Sequence, residues 1–379
     1  MKIAYVTIYD ASDVHHWSGL GYYMANALIS AGIELEYIGN LDEEHSLPSK
    51  VKARVYRHLS SKRYLRNREP HLLKAYAKQV GNAIRNSRAD IVFSPGSIPI
   101  AYLETDKPIV YWTDATFAGM VGFYSEFSNL CKESIRNGNR MEQEALSRCS
   151  YAIYASEWAA NTAVENYRVD ARKIKVVPLG ANLSCSRTMS DIEEMIGHRD
   201  ARTVKLLFCG VDWHRKGGDT VLKTAEMLSA EGIDVELDVV GCQPPGPVPG
   251  FVRIHGFVSK KTAEGRQLLD RLFSRAHFLF VPSLAECYGL VFAEASSFGL
   301  PSIATDVGGI PTVVKNGING QLFSLTDSAE NYCSYIKDVM FSREQYRNLA
   351  LSSFREYETR LNWSVAGRTI RDLLSGLIE

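Results

Sequence analysis

Short runs of apolar, β-forming residues alternate with longer amphipathic stretches along the whole chain. Ile91–Ser94 and Phe278–Val281 are typical of the short runs, and Gly218–Ala230 is typical of the longer stretches. Strand, helix and strand repeated in this order predict parallel sheets with helices on both faces, and therefore an α/β fold. The other predicted strands are Ile3–Ile8, Leu35–Ile38, Ile109–Trp112, Tyr151–Ala155, Lys175–Pro178, Lys205–Cys209, Val235–Val240, Val252–His255 and Ser302–Ala304.

The series of strands starts twice, at Ile3 and again at Lys205, and 379 residues are enough for two domains. We expect residues 1–183 and residues 184–362 each to form a doubly wound, Rossmann-like domain. The polar stretch 184–202 has no strand character and is predicted to be a linker. Segment 363–379 contains an amphipathic helix whose spacing does not select a domain, and we expect it to return to the first. Because ligands bind beyond the carboxyl ends of parallel strands, we expect the two domains to face a cleft.

Composition argues against several classes of protein. Lys and Arg number 43 and Asp and Glu also number 43, so the chain lacks the basic excess of a nucleic-acid-binding protein. No apolar run approaches the roughly 20 residues that span a bilayer. The seven cysteines contain no C-x-x-C pair, which predicts reduced thiols in a cytoplasmic protein.

Basic residues concentrate in one segment, residues 50–88, which holds twelve Lys and Arg against one acid, Glu69. Apolar side chains such as Val55 and Leu59 lie between them. This pattern fits a peripheral contact with an anionic membrane, at its inner face in a cytoplasmic protein. It fits a solvated basic helical face equally well.

The segment Pro282–Ala295 carries the densest chemical signal. A strand ends at Pro282, Gly289 makes a turn, and a helix is expected from about Leu290. Glu286 in the turn and Glu294 two helical turns later can share a face, where carboxylates accept hydrogen bonds from sugar hydroxyls. The alternative is that both are acids favoured near a helix start.

A second signal runs from Phe208 to Gly218. A strand ends, Gly210 permits close backbone approach, and the adjacent cations Arg215 and Lys216 precede a helix. Cations at a helix start neutralise a diphosphate, although a solvated turn has the same composition. The P-loop pattern is absent.

The first domain offers two weaker signals. Gly19 and Gly21 open a helix after the first strand, but Met24 replaces the third glycine of a dinucleotide fingerprint, which argues against a nicotinamide cofactor. Asp114 follows a strand, where it either binds a ligand hydroxyl or caps the next helix. No D-x-D pair and no His/Asp cluster with metal-ligand spacing is present, so no metal site is predicted.

Together these segments resemble the GT-B glycosyltransferases, particularly the large retaining family numbered four. The matching features, in chain order, are Gly19-Leu20-Gly21, the Arg215-Lys216-Gly217 turn after Gly210, the E-x7-E segment from Glu286 to Glu294, and the Asp306–Pro311 turn. The resemblance implies that Glu294 holds the donor ribose and that Lys216 with Arg215 neutralises the diphosphate. It further implies that the donor sugar is held by Glu286 and the amides of Cys287, Tyr288, Gly289 and Leu290. The base is expected to lie against Phe257 and Val258. Gly19 and Gly21 are expected to approach the phosphate and sugar.

The chain departs from the family pattern at three positions. Val211 stands where many relatives have an arginine, and Thr312 stands where G-G-I-P-E is common. No histidine accompanies Thr113, so Asp114 is the candidate for contact with the donor sugar.

The resemblance implies a retaining glycosyltransferase that needs no metal or other cofactor. The expected donor is a UDP-hexose, with glucose as first choice. The expected acceptor is a cell-envelope or exopolysaccharide precursor, either a free or a lipid-linked saccharide. Two alternatives stay open, namely a UDP-sugar epimerase or sugar phosphorylase on the same frame, and a scaffold that binds nucleotide sugars without turnover.

Overall fold

The computed structural model describes residues 1–14, 16–43, 47–183, 185–199 and 202–378. The chain divides into two compact units, residues 1–178 with the segment that begins at Trp363, and residues 179–362. The sequence placed the division after residue 183, but residues 179–183 make their contacts within the second unit. The carbonyl of Leu179 accepts from the Tyr288 hydroxyl at 2.7 Å, and the amide of Ala181 donates to the carbonyl of Leu361 at 3.1 Å.

The first unit contains a parallel sheet of six strands within the described residues, in the order β2-β1-β3-β4-β5-β6. Its four central strands are almost entirely buried, as expected where helices cover both faces of a sheet. The strands are β1 (Lys2–Val6), β2 (Glu34–Ile38), β3 (Ile91–Ser94), β4 (Ile109–Thr113), β5 (Tyr151–Tyr154) and β6 (Ile174–Val176), and the helices are α1 (Leu20–Ser30), α2 (Leu47–Ser60), α3 (Pro70–Arg85), α4 (Phe117–Met120), α5 (Lys132–Arg148) and α6 (Glu157–Asn166).

The second unit repeats this architecture with the strand order β12-β11-β10-β7-β8-β9 in the part of the chain described. Its strands are β7 (Thr203–Cys209), β8 (Asp234–Val240), β9 (Val252–Gly256), β10 (Phe278–Val281), β11 (Ser302–Thr305) and β12 (Gly320–Phe323), and its helices are α7 (Met189–Gly197), α8 (Gly218–Ala230), α9 (Ala263–Arg275), α10 (Leu290–Ser296), α11 (Ile310–Val313), α12 (Ala329–Phe341) and α13 (Arg343–Thr359). Every strand predicted from the sequence is present within two residues of its predicted bounds, and β12 is additional.

The predicted linker 184–202 is wrong over most of its described length, because α7 lies inside it. Thr188 and Asp191 form a capping box at the start of α7, and Ile192 and Ile196 are buried in the core of the second unit. Arg199 fixes the end of this segment, donating to the carbonyls of Ser274, Phe298 and Gly299 and to the Tyr346 hydroxyl. Ser184, Asp200 and Ala201 lie outside the described residues.

The C-terminal helix, α14 (Trp363–Ser375), belongs to the first unit and packs against α1. A side chain at Gly367 would meet the carbonyl oxygen of Ala27 at 2.3 Å, so the two helices approach closely at this point. Trp363 stacks on Tyr23 and meets Trp112 edge-on. Among the described residues, no helix is both long enough and apolar enough to cross a membrane.

Candidate active site

Two turns of the second unit meet at the carboxyl ends of its neighbouring strands β7 and β10. The first turn follows Cys209 and carries Arg215 and Lys216, and the second follows Val281 and carries Glu286. The amide of Leu284 donates to the carbonyl of Arg215 at 2.7 Å and joins the two turns directly. The two motifs that the sequence singled out therefore form one site.

Gly217 makes this junction possible. It has a φ of 79°, which glycine adopts without strain, and it stands immediately before α8. A Cβ atom at Gly217 would lie 2.1 Å from the carbonyl oxygen of Pro282, and one at Gly210 would lie 2.7 Å from Cγ of Lys216. Both glycines thus leave room for the backbone and the lysine side chain to pass close to their neighbours.

Lys216 and Glu286 form a buried ion pair, each residue being only 8% exposed. The guanidinium of Arg215 lies beside them, with Nη1 at 3.5 Å from Oε2 of Glu286 and 2.9 Å from the carbonyl of Ala285. Asp212 adds a second carboxylate, with Oδ2 at 3.8 Å from Nε of Arg215, so the two cations and two carboxylates carry no formal net charge. The two cations nevertheless stand side by side at the strand ends, where they can pair with an anionic ligand.

The turn around Glu286 is fixed by neighbouring backbone. The amide of Gly309, in the Asp306–Pro311 turn, donates to the carbonyl of Glu286 at 3.0 Å. Gly289 has a φ of 86° and precedes Leu290, the first residue of α10, as the sequence predicted. The side chain of Tyr288 is buried and donates to Leu179, and Cys287 is also buried, so any direct ligand contact of Tyr288 falls to its main chain.

Glu294 is buried on α10, and its Oε1 accepts a hydrogen bond from the ammonium of Lys260. Burial, then the nearby Glu294 carboxylate, raise the pKa of the Cys209 thiol to about 11, partly offset by the ammonium groups of Lys260 and Lys216. Lys260 was not predicted from the sequence, although Ser259-Lys260-Lys261 directly follows the predicted base segment.

Phe257 and Val258 follow β9, the strand beside β8. The side chain of Phe257 is 79% exposed, and Val258 is half-buried. An exposed aromatic ring at the carboxyl end of a strand provides a flat face against which a planar base can pack.

The first-unit candidates also follow strand ends within their own sheet. Gly19 stands immediately before α1, and the carbonyl of Gly21 accepts from the Tyr5 hydroxyl at 2.7 Å. Asp114 follows β4 and is half-buried. The helix-cap alternative for Asp114 is wrong, because Thr116 caps α4 by accepting from the amide of Gly119 at 3.0 Å.

Over the residues that the structure describes, no group of three or more His, Cys, Asp or Glu side chains is arranged to hold a metal ion.

Two protein-family models match the chain in the order of its units. Residues 21–184 match the model described as Glycosyltransferase Family 4, and residues 203–340 match the model described as Glycosyl transferases group 1. The chain belongs to glycosyltransferase family 4.

Curated relatives of this family 4 glycosyltransferase include D-inositol 3-phosphate glycosyltransferase from Nocardiopsis dassonvillei. The two are 27% identical over 250 residues, a match that covers 62% of the chain and 57% of that protein. The chain spans about half the length of the curated relatives it matches.

Solved structures resemble this family 4 glycosyltransferase over nearly its full length. Sucrose-phosphate synthase from Thermosynechococcus elongatus has a TM-score of 0.70 at 17% identity, covering 100% of this chain and 99% of that one. HepE from Anabaena in complex with UDP-glucose has a TM-score of 0.64 at 15% identity, covering 99% of this chain and 100% of that one. At these identities the likeness shows the fold, and the predicted GT-B type of two Rossmann-like domains is confirmed.

Proposed function

We propose that the protein is a hexosyltransferase that moves glucose from UDP-glucose to a saccharide acceptor. The observation that carries this proposal is the buried cluster of Lys216, Glu286 and Arg215, in which the two family motifs meet. The structure of HepE with UDP-glucose supports this choice of donor. The family match supports sugar transfer rather than the epimerase, phosphorylase or scaffold alternatives.

In this proposal the two cations of the cluster stabilise the leaving diphosphate. Negative charge grows on the diphosphate as the bond to the sugar breaks, and fixed cations stabilise that charge more in the transition state than in the ground state. Lys216 and Arg215 supply these cations, and Glu286 holds them in place while accepting from the hydroxyls of the sugar. We propose that the reaction proceeds without a metal ion for this reason.

The nucleoside part of the donor is assigned to the second ion pair. Oε1 of Glu294 is held by Lys260, while Oε2 has no protein partner within the described residues and is available to accept from ribose hydroxyls. Phe257 and Val258 are proposed to pack on the base, and the amides of Cys287 to Leu290 to contact the sugar.

We propose that the sugar is transferred with retention of its anomeric configuration. In this scheme the acceptor attacks from the face that the diphosphate leaves, and the departing diphosphate oxygen takes the acceptor proton. Asp114 is assigned to a hydroxyl of the donor sugar, and Gly19 and Gly21 to close approach to the donor. The acceptor is proposed to be a cell-envelope or exopolysaccharide precursor.

Helix α2 supports peripheral contact with a membrane that carries such precursors. Val51, Val55 and Leu59 are exposed at spacings of four residues, and Leu59 is 83% exposed. Lys50 and Arg54 are exposed beside this stripe, while Lys52 and Tyr56 face the fold and bond to Glu133. An apolar stripe flanked by cations fits the interface of an anionic bilayer.

The proposal is tested first without an acceptor. The protein is incubated in EDTA with UDP-, GDP- and ADP-sugars, and nucleotide release by slow hydrolysis is measured while proton NMR follows the first anomer of the released sugar. We expect UDP release from UDP-glucose and α-glucose as the first product. Nucleotide release that needs added metal would contradict the metal-free reaction, and β-glucose as the first product would contradict retention. Release from another donor alone would contradict UDP-glucose as the donor.

Substitution of Lys216 tests the mechanism itself. Lys216→Ala should lower kcat by roughly 10²–10³, the loss expected when one preorganised charge stabiliser is removed. An unchanged kcat would exclude Lys216 from the reaction.

The alternative functions have distinct signatures in the same assay. Donor isomerisation without release would indicate an epimerase, and phosphate-dependent turnover would indicate a phosphorylase. Tight UDP binding with no turnover would indicate a scaffold. The rate of transfer to a saccharide acceptor is compared with the rate of transfer to D-inositol 3-phosphate, the compound in the name of the curated relatives.

A further inference from the structure

A concave groove in the first unit lies away from the candidate donor-binding residues, and one of its walls belongs to the basic segment 50–88. It has a volume of about 590 Å³ and runs between α3 and α5, with Tyr102 beside them. Arg85 and Arg148 are the last residues of these helices, and the chain continues from them into the amino ends of β3 and β5. Asp114 follows the carboxyl end of β4, at the opposite edge of the same sheet. The groove is therefore separate from the edge to which the sugar transfer is assigned.

One wall of the groove is a stripe of α3 residues at helical spacing, namely Lys74, Lys78, Gly81 and Arg85. Within the described residues none of its three cations has an ion-pair partner, and Arg85 bonds instead to the amide oxygen of Asn82. The nitrogen of Lys74 lies 5.7 Å from the centre of the Tyr102 ring. This wall carries three positive charges into one concave space.

The facing wall differs in character. It is formed by Arg140, Glu144 and Arg148 on α5, in which Glu144 pairs with both arginines. Glu104, on the loop before β4, adds a second carboxylate to the lining. A simple anion is attracted by the cations of this groove and repelled by its carboxylates. A ligand that carries both a phosphate and hydroxyl groups fits better, because the phosphate pairs with the cations and the hydroxyls donate hydrogen bonds to the carboxylates.

We propose that this groove is a non-catalytic binding site for a phosphorylated sugar. The phosphate lies against Lys74, Lys78 and Arg85, and the sugar hydroxyls lie against Glu104 and Glu144. The volume is within the range of roughly 300–1,000 Å³ found for small-molecule sites. Gly81 leaves the middle of the charged wall free of a side chain and so opens the groove to the ligand.

The binding test uses the full chain with the donor site saturated by UDP, so that binding at that site does not contribute. Glucose 6-phosphate is titrated by calorimetry, with inorganic phosphate as the comparison probe. We expect one site for glucose 6-phosphate and at least tenfold weaker binding of inorganic phosphate. Absence of binding in the presence of UDP, or equal affinity for inorganic phosphate, would overturn the proposal.

Two kinds of variant locate the site. Lys78→Ala/Arg85→Ala removes charge, and Gly81→Gln fills the groove while leaving every charge in place; both should weaken binding at least tenfold. A Cβ at Gly81 would meet only Leu103, at 3.7 Å, so this variant is expected to fold. Lys132→Ala/Arg136→Ala, exposed cations at the other end of α5, is the matched control. Equal affinity in the groove and control variants would overturn the assignment.

A phosphorylated sugar is available either free or as a lipid headgroup, and vesicles distinguish the two sources. Vesicles containing phosphatidylinositol 4-phosphate are added to protein loaded with glucose 6-phosphate. Displacement from the wild type by these vesicles, but not by phosphatidylserine vesicles of equal charge, assigns the groove to a membrane headgroup, and retention of glucose 6-phosphate assigns it to the free sugar phosphate. Displacement by both kinds of vesicle would show that membrane binding elsewhere expels the ligand and would overturn the assignment to a phosphorylated headgroup.

Discussion

The buried carboxylate of Glu294 is held by the ammonium group of Lys260. If Glu294 binds the ribose, Lys260 acts as a positioning residue that presents Oε2 to the ribose hydroxyls. Lys260→Met should therefore raise the donor KM about tenfold, or ~1.4 kcal/mol, and leave kcat nearly unchanged. Steady-state kinetics with UDP-glucose measures both constants.

Two controls separate positioning from folding. Lys261→Met removes the neighbouring exposed lysine and should leave the donor KM unchanged, and Lys260→Arg should restore it. UDP lacking the ribose 2′ and 3′ hydroxyls should bind the wild type more weakly than UDP, and this ratio should shrink in Lys260→Met because both changes affect one interaction. Independent effects of the two changes would remove Lys260 from ribose recognition.

Among individual residues, those that lie in local sequence motifs could be predicted, whereas a residue whose partner is distant in sequence could not. The sequence identified Lys216 and Glu286 because each lies in a dense local pattern, and the structure brings them together. It did not identify Lys260, whose partner Glu294 lies on a distant helix and is reached only through the path of the chain after β9. A long-range ion pair of this kind depends on loop geometry, which local sequence does not determine.

Among the elements, the turn before α8 depends on Gly217 for two reasons. Its φ is positive, and a Cβ would collide with the carbonyl of Pro282. Gly232 has a similar φ of 82° with open space around it, so Gly232→Ala isolates the conformational cost of about 1–2 kcal/mol. Gly217→Ala should lose roughly 2–4 kcal/mol of unfolding free energy and should also weaken UDP binding. Equal losses in the two variants, measured by urea unfolding, would show that the contact with Pro282 is unimportant.

Helix α2 provides a prediction about membranes. Val55→Glu/Leu59→Glu places charge on the exposed apolar stripe and should weaken binding to anionic vesicles at least tenfold, since burying one such side chain contributes roughly 1.5–3 kcal/mol. Phe341→Glu, which replaces an 84% exposed apolar residue of the second unit, should leave binding unchanged. Vesicle flotation measures the effect, and binding of the wild type should weaken with salt. Salt-independent binding, or none, would contradict membrane contact through this helix.

The elements that the sequence missed share a physical cause. Helix α7 has only two buried apolar residues in its short length, Ile192 and Ile196, and its polar face resembled a linker. Its capping box, Thr188 with Asp191, was readable and would have identified the start. Strand β12 reads Gly-Gln-Leu-Phe and lacks β-branched residues, so its pairing with β11 gives no local signal.

At the scale of the whole molecule, repetition was the informative signal. Two series of largely apolar strands predicted two sheets, because strands covered on both faces consist mostly of apolar residues. The position of α14 was not readable in the same way. Its amphipathic spacing fits many surfaces, and its packing on α1 depends on Gly367, whose significance appears only when Ala27 is beside it.

The stability of the first unit should depend on the ionisation of one buried carboxyl group. Burial raises the pKa of Glu142 from 4.5 to about 7, partly offset by the hydroxyl of Ser97, which donates to Oε2 at 3.1 Å. Between these values the folded protein binds a proton that the unfolded chain has lost, so stability falls as the pH rises through this window.

This prediction is measured as a difference between two proteins. From pH 5 to pH 8 the wild type should lose about 2–3 kcal/mol more unfolding free energy than Glu142→Gln, which carries no titrating group at that position. Urea unfolding at the two pH values, followed through the tryptophan emission to which Trp112 of the same unit contributes, provides the comparison. Because other titrating groups are common to both proteins, their contributions cancel in the difference. Parallel pH dependence in the two proteins would show that Glu142 is ionised in the folded state across this range.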